Sequence, residues 1–158
     1  LRGGGIGGRW GGATGGLSVL GSREITLTAD AHLSDVASQT LDLIVLPGGE
    51  VGARALAASE PLHALLRTQR LEHRWIAAIC AAPALILNPL GLLDGKHATG
   101  YPAMRDQLLH YVDRPVVVDG HTITGQGPAS SIAFALMCVE QLSGEATRRA
   151  VAEALLAS

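Results

Sequence analysis

Cysteine is scarce: the 158 residues hold only Cys80 and Cys138, far apart and in unlike contexts. Two such positions make neither a disulfide framework nor a zinc-ligand pattern, and they fit a reducing cytoplasm. Aromatic residues make up only 3% of the chain, so its core has to be built from Leu, Ile, Val and Ala. Lysine occurs once, at Lys96, and the formal net charge is −2. With no basic stripe, no specific nucleic-acid partner is expected. The bias toward arginine and alanine suggests a GC-rich bacterial gene. No apolar run reaches the roughly 18 residues of a membrane helix, and no signal-peptide pattern is visible, so no membrane association is expected. The six histidines show no H-x-x-x-H or H-E-x-x-H spacing, so neither a metal nor another cofactor is expected. No G-x-S-x-G elbow is present, which leaves a serine hydrolase unsupported.

What is there reads as a single domain spanning residues 1–158. Hydrophobic residues make up 47% and charged ones 16%, a globular balance with enough apolar surface for a core. The opening LRGGGIGGRWGGATGG contains a G-x-G-x-x-G at Gly3, Gly5 and Gly8, but lacks the preceding strand and following helix that a dinucleotide loop requires. It reads as a loose segment with a short strand near Arg9 to Ala13. The stretch GLLDGKH, from Gly91, spaces its glycines one residue closer than a phosphate-binding loop and has no Ser or Thr after Lys96.

The remainder alternates. Arg23 to Asp30 is β-branched and alternating, a strand; Leu43 to Leu46 is a continuous apolar run closed by Pro-Gly-Gly, the pattern of a strand buried on both faces. Two helical pieces follow, with Pro61 suited to the first turn of the second. WIAAI at Trp75–Ile79 is another buried strand, and the chain from Cys80 onward reads as a helix that tolerates Pro83 in its first turn. HATG suggests a short strand, PAMRDQLLHYV a helix, and RPVVVDGHTITG a hairpin around Asp119-Gly120. PASSIAFALMCVEQLSG is an apolar helix with Gly144 as its stop, followed by an amphipathic closing helix in which Glu145 and Arg149 stand at i, i+4. Strands alternating with helices predict an α/β sandwich with a mainly parallel sheet.

Cys80 stands where a buried strand ends and a helix is expected to start. Strand, sharp turn and helix are the parts of a nucleophile elbow, which needs small neighbours such as Ala78, Ala81 and Ala82. A helix N-terminus beneath the sulfur would favour its thiolate. Free cysteine is also among the most buried residue types and packs like a small hydrophobe, so the local pattern leaves both readings of Cys80 open. Cys138, inside an apolar helix beside Met137, reads as core filler. In an open parallel sheet, ligands bind beyond the carboxyl ends of the strands. Gly48 and Gly49 would bring bare backbone amides to that edge, and with the Ala81 amide they would form an oxyanion hole; the same pair also serves simply as a tight turn.

LIVLPGGEVGARAL, AAICAAPALIL, HATGYPAMRDQL and TITGQGPASSIAFALMCVEQLSG resemble, in order and spacing, the motifs of the DJ-one/ThiJ/PfpI superfamily. The resemblance runs from about Arg23 to the C-terminus and is nearest to the bacterial ThiJ-like branch; the protease-like branch has His where this chain has Ala81. The absence of that His also leaves a cysteine protease without a proton donor for its leaving amine. The resemblance implies a flavodoxin-like sandwich, usually homodimeric, with Cys80 as the reactive elbow cysteine in a strained backbone. It implies that the Gly49 and Ala81 amides face the pocket. Around them it places Gly48, Tyr101 with Pro102, the Gly127-Pro128 turn, and Arg23 near the pocket and dimer interface. It further implies a glutamate in the loop after the first strand, hydrogen-bonded to the cysteine as acid and base. On this reading that strand and glutamate lie upstream of Leu1, and residues 1–22 are a truncated or degraded N-terminal part; neither Glu24 nor Glu50 matches the family position.

The activity so implied is that of a cofactor-independent glyoxalase or deglycase, acting on methylglyoxal or glycated adducts through Cys80. Two alternatives accompany it. In one, Cys80 is the oxidisable thiol of a stress sensor or chaperone without turnover. In the other, the chain is an inactive fragment whose sheet exposes unpaired edges.

Overall fold

The structure, a computed structural model, describes residues 5–13, 15–21 and 24–157. A four-stranded sheet organises the fold. Its strands are β5 (Leu43–Leu46), β6 (Trp75–Ile79), β7 (Val116–Asp119) and β8 (Thr122–Gly125), in the order β5-β6-β8-β7. The first three in that order run parallel, and β7 closes the sheet as the antiparallel arm of the expected hairpin with β8. Every residue of β8 is buried, as are the three central residues of β6. That burial explains why β6 lacks polar alternation.

Helices cover both faces, giving the expected α/β sandwich. On one face Ile44, Leu46, Ile76 and Ala78 pack against α2 (Glu50–Ala57), α3 (Glu60–Leu71) and the turns after Cys80. Ser59 caps α3 by accepting from the Leu62 N–H, and Pro61 occupies its first turn as predicted. The buried Gln69 amide donates to the carbonyls of Leu41 (2.8 Å) and Trp75 (3.1 Å), pinning α3 to the entrances of β5 and β6. On the other face Ala77 and Ile123 meet Phe134 and Cys138 of α4 (Ser131–Ala154). Gly144 does interrupt this helix: its φ of 83° and ψ of 167° kink it, and the closing segment carries the Arg149–Glu145 ion pair at 2.8 Å.

The N-terminal part forms two small ribbons separate from this sheet. β1 (Gly11–Gly12) pairs in parallel with β4 (Ala31–His32), which leads into the single-turn helix α1 (Leu33–Val36); β2 (Ser18–Leu20) pairs antiparallel with β3 (Thr26–Thr28). The short strand expected near Arg9 to Ala13 is β1. The strand expected over Arg23 to Asp30 shrinks to β3, fully exposed and outside the main sheet. Among the described residues no strand pairs with the outer edge of β5.

Two expected helices are much shorter than their patterns suggest. After Cys80 the Leu85 N–H bonds to the Ala81 carbonyl, and the segment then runs as a π-helical turn, Pro83–Leu87, in which the Asn88 N–H reaches back five residues to the Pro83 carbonyl. Pro83 brings no donor to this turn and Pro89 blocks its continuation, so turns follow instead. The segment after Tyr101 is a short 3-10 stretch, Pro102–Gln107. It cannot lengthen through Tyr111 because Ala98 forms a parallel bridge with that residue, bonding to the His110 carbonyl and the Val112 amide. HATG thus contributes an isolated bridge rather than a strand. Among the described residues, no helix is long and apolar enough to cross a membrane.

Candidate active site

The parallel strands β5, β6 and β8 all end at one edge of the sheet. There β5 leads into Pro47-Gly48-Gly49, β6 into Cys80, and β8 into Gln126-Gly127-Pro128. Topology alone therefore gathers the motif residues on the edge where parallel sheets bind ligands.

Cys80 is partly exposed and has a φ of +63°. A left-handed backbone at a non-glycine residue costs roughly 1–3 kcal/mol and persists only where neighbours enforce it. Here they do so on both sides. The Cys80 N–H donates to the Gly125 carbonyl at 3.0 Å, and the Cys80 carbonyl accepts from the Tyr101 N–H at 2.8 Å. Gly48 lies against the sulfur side: a Cβ placed on it would meet Cys80 Cβ at 2.5 Å, the Ile79 carbonyl at 2.9 Å and Cys80 Sγ at 3.3 Å. Gly49, with a φ of 84°, turns the chain into α2 as its N-cap. Ala81 is buried, its carbonyl accepting from Leu85 N–H.

Tyr101 is 45% exposed and flanks the cysteine through its backbone. Pro102 begins the 3-10 stretch behind it. On its other side is Gly127, where an added Cβ would stand 4.0 Å from the tyrosine ring. The Gly127-Pro128 turn is held by Ser130, whose hydroxyl donates to the Gly127 carbonyl at 2.9 Å and accepts from its N–H at 3.1 Å. Cys80, Gly48, Tyr101 and Gly127 thus form one neighbourhood. Arg23 lies outside the described residues. Glu50 is committed to Arg54, with an Oε1–Nη2 distance of 2.7 Å on the exposed face of α2, and Glu24 is exposed with a φ of 61°.

The helix expected beneath Cys80 is a short segment from Ala82, π-type over Pro83–Leu87. What the elbow offers is a thiol on a fixed, strained backbone at a partly open edge. Cys138 is its opposite: 1% exposed, with burial pushing its thiol up to about 12. That environment makes it inert packing.

The structure adds residues that the motifs did not single out. Gly125 supplies the carbonyl that holds Cys80, and a Cβ there would strike Phe134 and Ile79 at 2.8 and 2.9 Å. Gly100 lets the Tyr101 segment approach the Cys80 carbonyl, 3.2 Å from where its Cβ would be. Thr99 and Thr124 are buried and linked by a 2.9 Å bond from the Thr99 N–H to the Thr124 hydroxyl. The glycines that close HATG and TITG were the available signal, since both end segments at the sheet edge. The threonines carried none.

A family model described as DJ-1/PfpI matches residues 12–141. The chain belongs to the DJ-1/PfpI family. It is 42% identical over 149 residues to protein dj-1beta of Drosophila melanogaster, covering 92% of this chain and 79% of that protein. The crystal structure of Drosophila DJ-1beta superposes with a TM-score of 0.95 at 41% identity, covering 99% of this chain and 86% of that one. This likeness to a DJ-1 structure bears out the flavodoxin-like α/β sandwich. The DJ-1 homolog B of Arabidopsis thaliana is 45% identical over 130 residues, 81% of this chain; the chain spans only 30% of that longer protein. A Schizosaccharomyces pombe protein named glutathione-independent glyoxalase DJ-1 is 30% identical over 144 residues, covering 85% of this chain and 74% of that protein.

Proposed function

We propose that this DJ-1/PfpI domain is the core of a cofactor-independent glyoxalase, with Cys80 as its nucleophile and methylglyoxal or a related reactive carbonyl as its substrate. The observation that carries the reading is the backbone of Cys80, held at a φ of +63° between Gly125 and Tyr101 with Gly48 against its sulfur. The yeast relative named as a glutathione-independent glyoxalase supports the same chemistry.

The thiolate adds to the aldehyde carbon of methylglyoxal, and the carbonyl oxygen takes a proton to give a hemithioacetal. A proton then leaves the former aldehyde carbon and another is delivered to the neighbouring carbon. The result is a lactoyl thioester, with no net oxidation. Water hydrolyses the thioester, releasing lactate and the free thiol. The Gly49 and Ala81 amides are proposed to stabilise the oxyanion of the first and last steps. Gly48, Tyr101, Pro102, Gly127 and Pro128 are proposed to line the pocket, and Arg23 to lie at its rim. With Glu50 paired to Arg54, the carbon-to-carbon proton transfer is proposed to fall to a base other than Glu50. The same thiol addition would release early glycation adducts from amines or thiols. The working form is proposed to be a cytoplasmic homodimer.

The test is lactate formation from methylglyoxal by the full-length protein. Wild type is expected to produce lactate, and Cys80→Ser to lose at least 100-fold of that activity, on the order of the loss expected when a nucleophile is removed. Equal rates in the two proteins, or no lactate from wild type, would falsify the glyoxalase reading. Selective peroxide oxidation of Cys80 without turnover would point to the redox sensor instead.

A further inference from the structure

We infer that the buried Thr124 hydroxyl is a positioning group for Cys80, acting through the segment Thr99-Gly100-Tyr101. The inference rests on reading Cys80 as the reactive thiol, but not on any particular substrate. Consecutive residues of β8 hold the cysteine by two routes. Gly125 does so directly, its carbonyl accepting the Cys80 N–H at 3.0 Å. Thr124 does so indirectly: its hydroxyl accepts the Thr99 N–H at 2.9 Å, and two residues later the Tyr101 N–H donates to the Cys80 carbonyl at 2.8 Å.

The hydroxyl suits this role. It is 1% exposed, so no water competes for it. Its proton has an acceptor in the Val117 carbonyl, 3.5 Å away on β7, and its lone pairs serve the Thr99 amide. The Thr99 side chain contributes nothing comparable, since its own hydroxyl is fully buried without a partner among the described residues. The segment is not a strand of the sheet. Ala98 bonds outward to His110 and Val112, so the Thr124 hydroxyl is what ties the Thr99 amide to β8. Without it a buried N–H is left unsatisfied, and the segment has to shift to satisfy it. That shift loosens the Tyr101 bond, one of the two that enforce the left-handed backbone at Cys80.

The experiment compares wild type, Thr124→Val and Thr124→Ser by the second-order rate of iodoacetamide alkylation at Cys80, read by mass spectrometry. Cys138 reports folding, because it reacts only if the core opens. Valine keeps the shape and removes the hydroxyl; serine keeps the hydroxyl. Thr124→Val is expected to slow Cys80 about five- to tenfold, the worth of one buried hydrogen bond, while Thr124→Ser stays within about twofold of wild type. A Thr124→Val rate that falls less than about twofold or rises, or a serine variant as slow as the valine one, overturns the inference on the same hydrogen-bond scale. If the valine protein exposes Cys138, amide exchange in wild type decides. The Thr99 and Tyr101 amides must then exchange as slowly as the strand amides of β8, and fast exchange at either overturns the inference. The two readings fail separately. Absent lactate with the expected alkylation pattern sinks the glyoxalase alone, and lactate with unaffected alkylation sinks the positioning role alone.

Discussion

At Cys80 the chain accepts a backbone conformation that an L-residue avoids, and the neighbours that enforce it are mostly residues chosen for what they lack. Gly48 is the clearest. The atoms that an added methyl would meet, Cys80 Cβ at 2.5 Å and the Ile79 carbonyl at 2.9 Å, are fixed to the backbone of β6 and its elbow. Neither can swing aside as a long side chain would. Gly48→Ala is therefore expected to destabilise the fold by about 1–3 kcal/mol, the usual cost of overpacking a tight site. Thermal unfolding should show a fall of several degrees, together with altered alkylation at Cys80. An unchanged melting temperature would mean that the elbow is softer than its geometry indicates.

Among the elements, those with a single dominant signal were legible in the sequence. The continuous apolar runs of β5 and β6, the Asp119-Gly120 turn between β7 and β8, and the helices α2 and α3 stand where their patterns put them. The segments that misled are those in which other constraints override local preference. The run Ala84-Leu85-Ile86-Leu87 after Cys80 is apolar enough for a buried helix, but Pro83 and Pro89 leave room for only a short helical segment. Residues 102–112 read as a helix until the bridge between Ala98 and Tyr111 is known. The site divides the same way. Cys80, Gly48, Gly49, Tyr101 and Gly127 stand out in motifs. The bond from Thr99 to Thr124 spans 25 residues, and in a strand of Thr-Ile-Thr-Gly either threonine looks like an ordinary β-former. Gly144 was legible as a helix stop, and the structure breaks the helical backbone there, with Arg148 reaching back across it to Glu140 at 2.8 Å. Its φ of 83° with ψ of 167° belongs to a region open essentially to glycine alone. Gly144→Ala should cost about 1–3 kcal/mol and detach the closing segment of α4. Urea unfolding would show the loss, and a variant as stable as wild type would mean that α4 straightens without penalty.

Seen as a whole, the molecule is a sheet with a different core on each face, and the two cysteines have been separated accordingly. One sits at the open edge; the other lies on the buried face of α4 among Ala77, Ile123 and Phe134. The burial of Cys138 raises its thiol from 9.0 to about 12, and this makes the stability of the whole fold sensitive to alkaline pH. The folded-state value lies above the unfolded one, so the unfolded chain releases the proton first. The contribution is fully present below pH 9 and is lost as pH rises from 9 toward about 12. A shift of that size corresponds to roughly 4 kcal/mol at most, against total stabilities of about 5–15 kcal/mol for a domain. Cys138→Val keeps an apolar side chain in place and removes the titration. Urea midpoints of the two proteins should stay close at pH 7 and diverge above pH 9, with wild type falling faster. Every other group that titrates in this range is common to both proteins, so the difference isolates Cys138. Midpoints that fall in parallel would mean that the α4 face admits water to the sulfur, and that this side of the sheet is less tightly closed than its packing indicates.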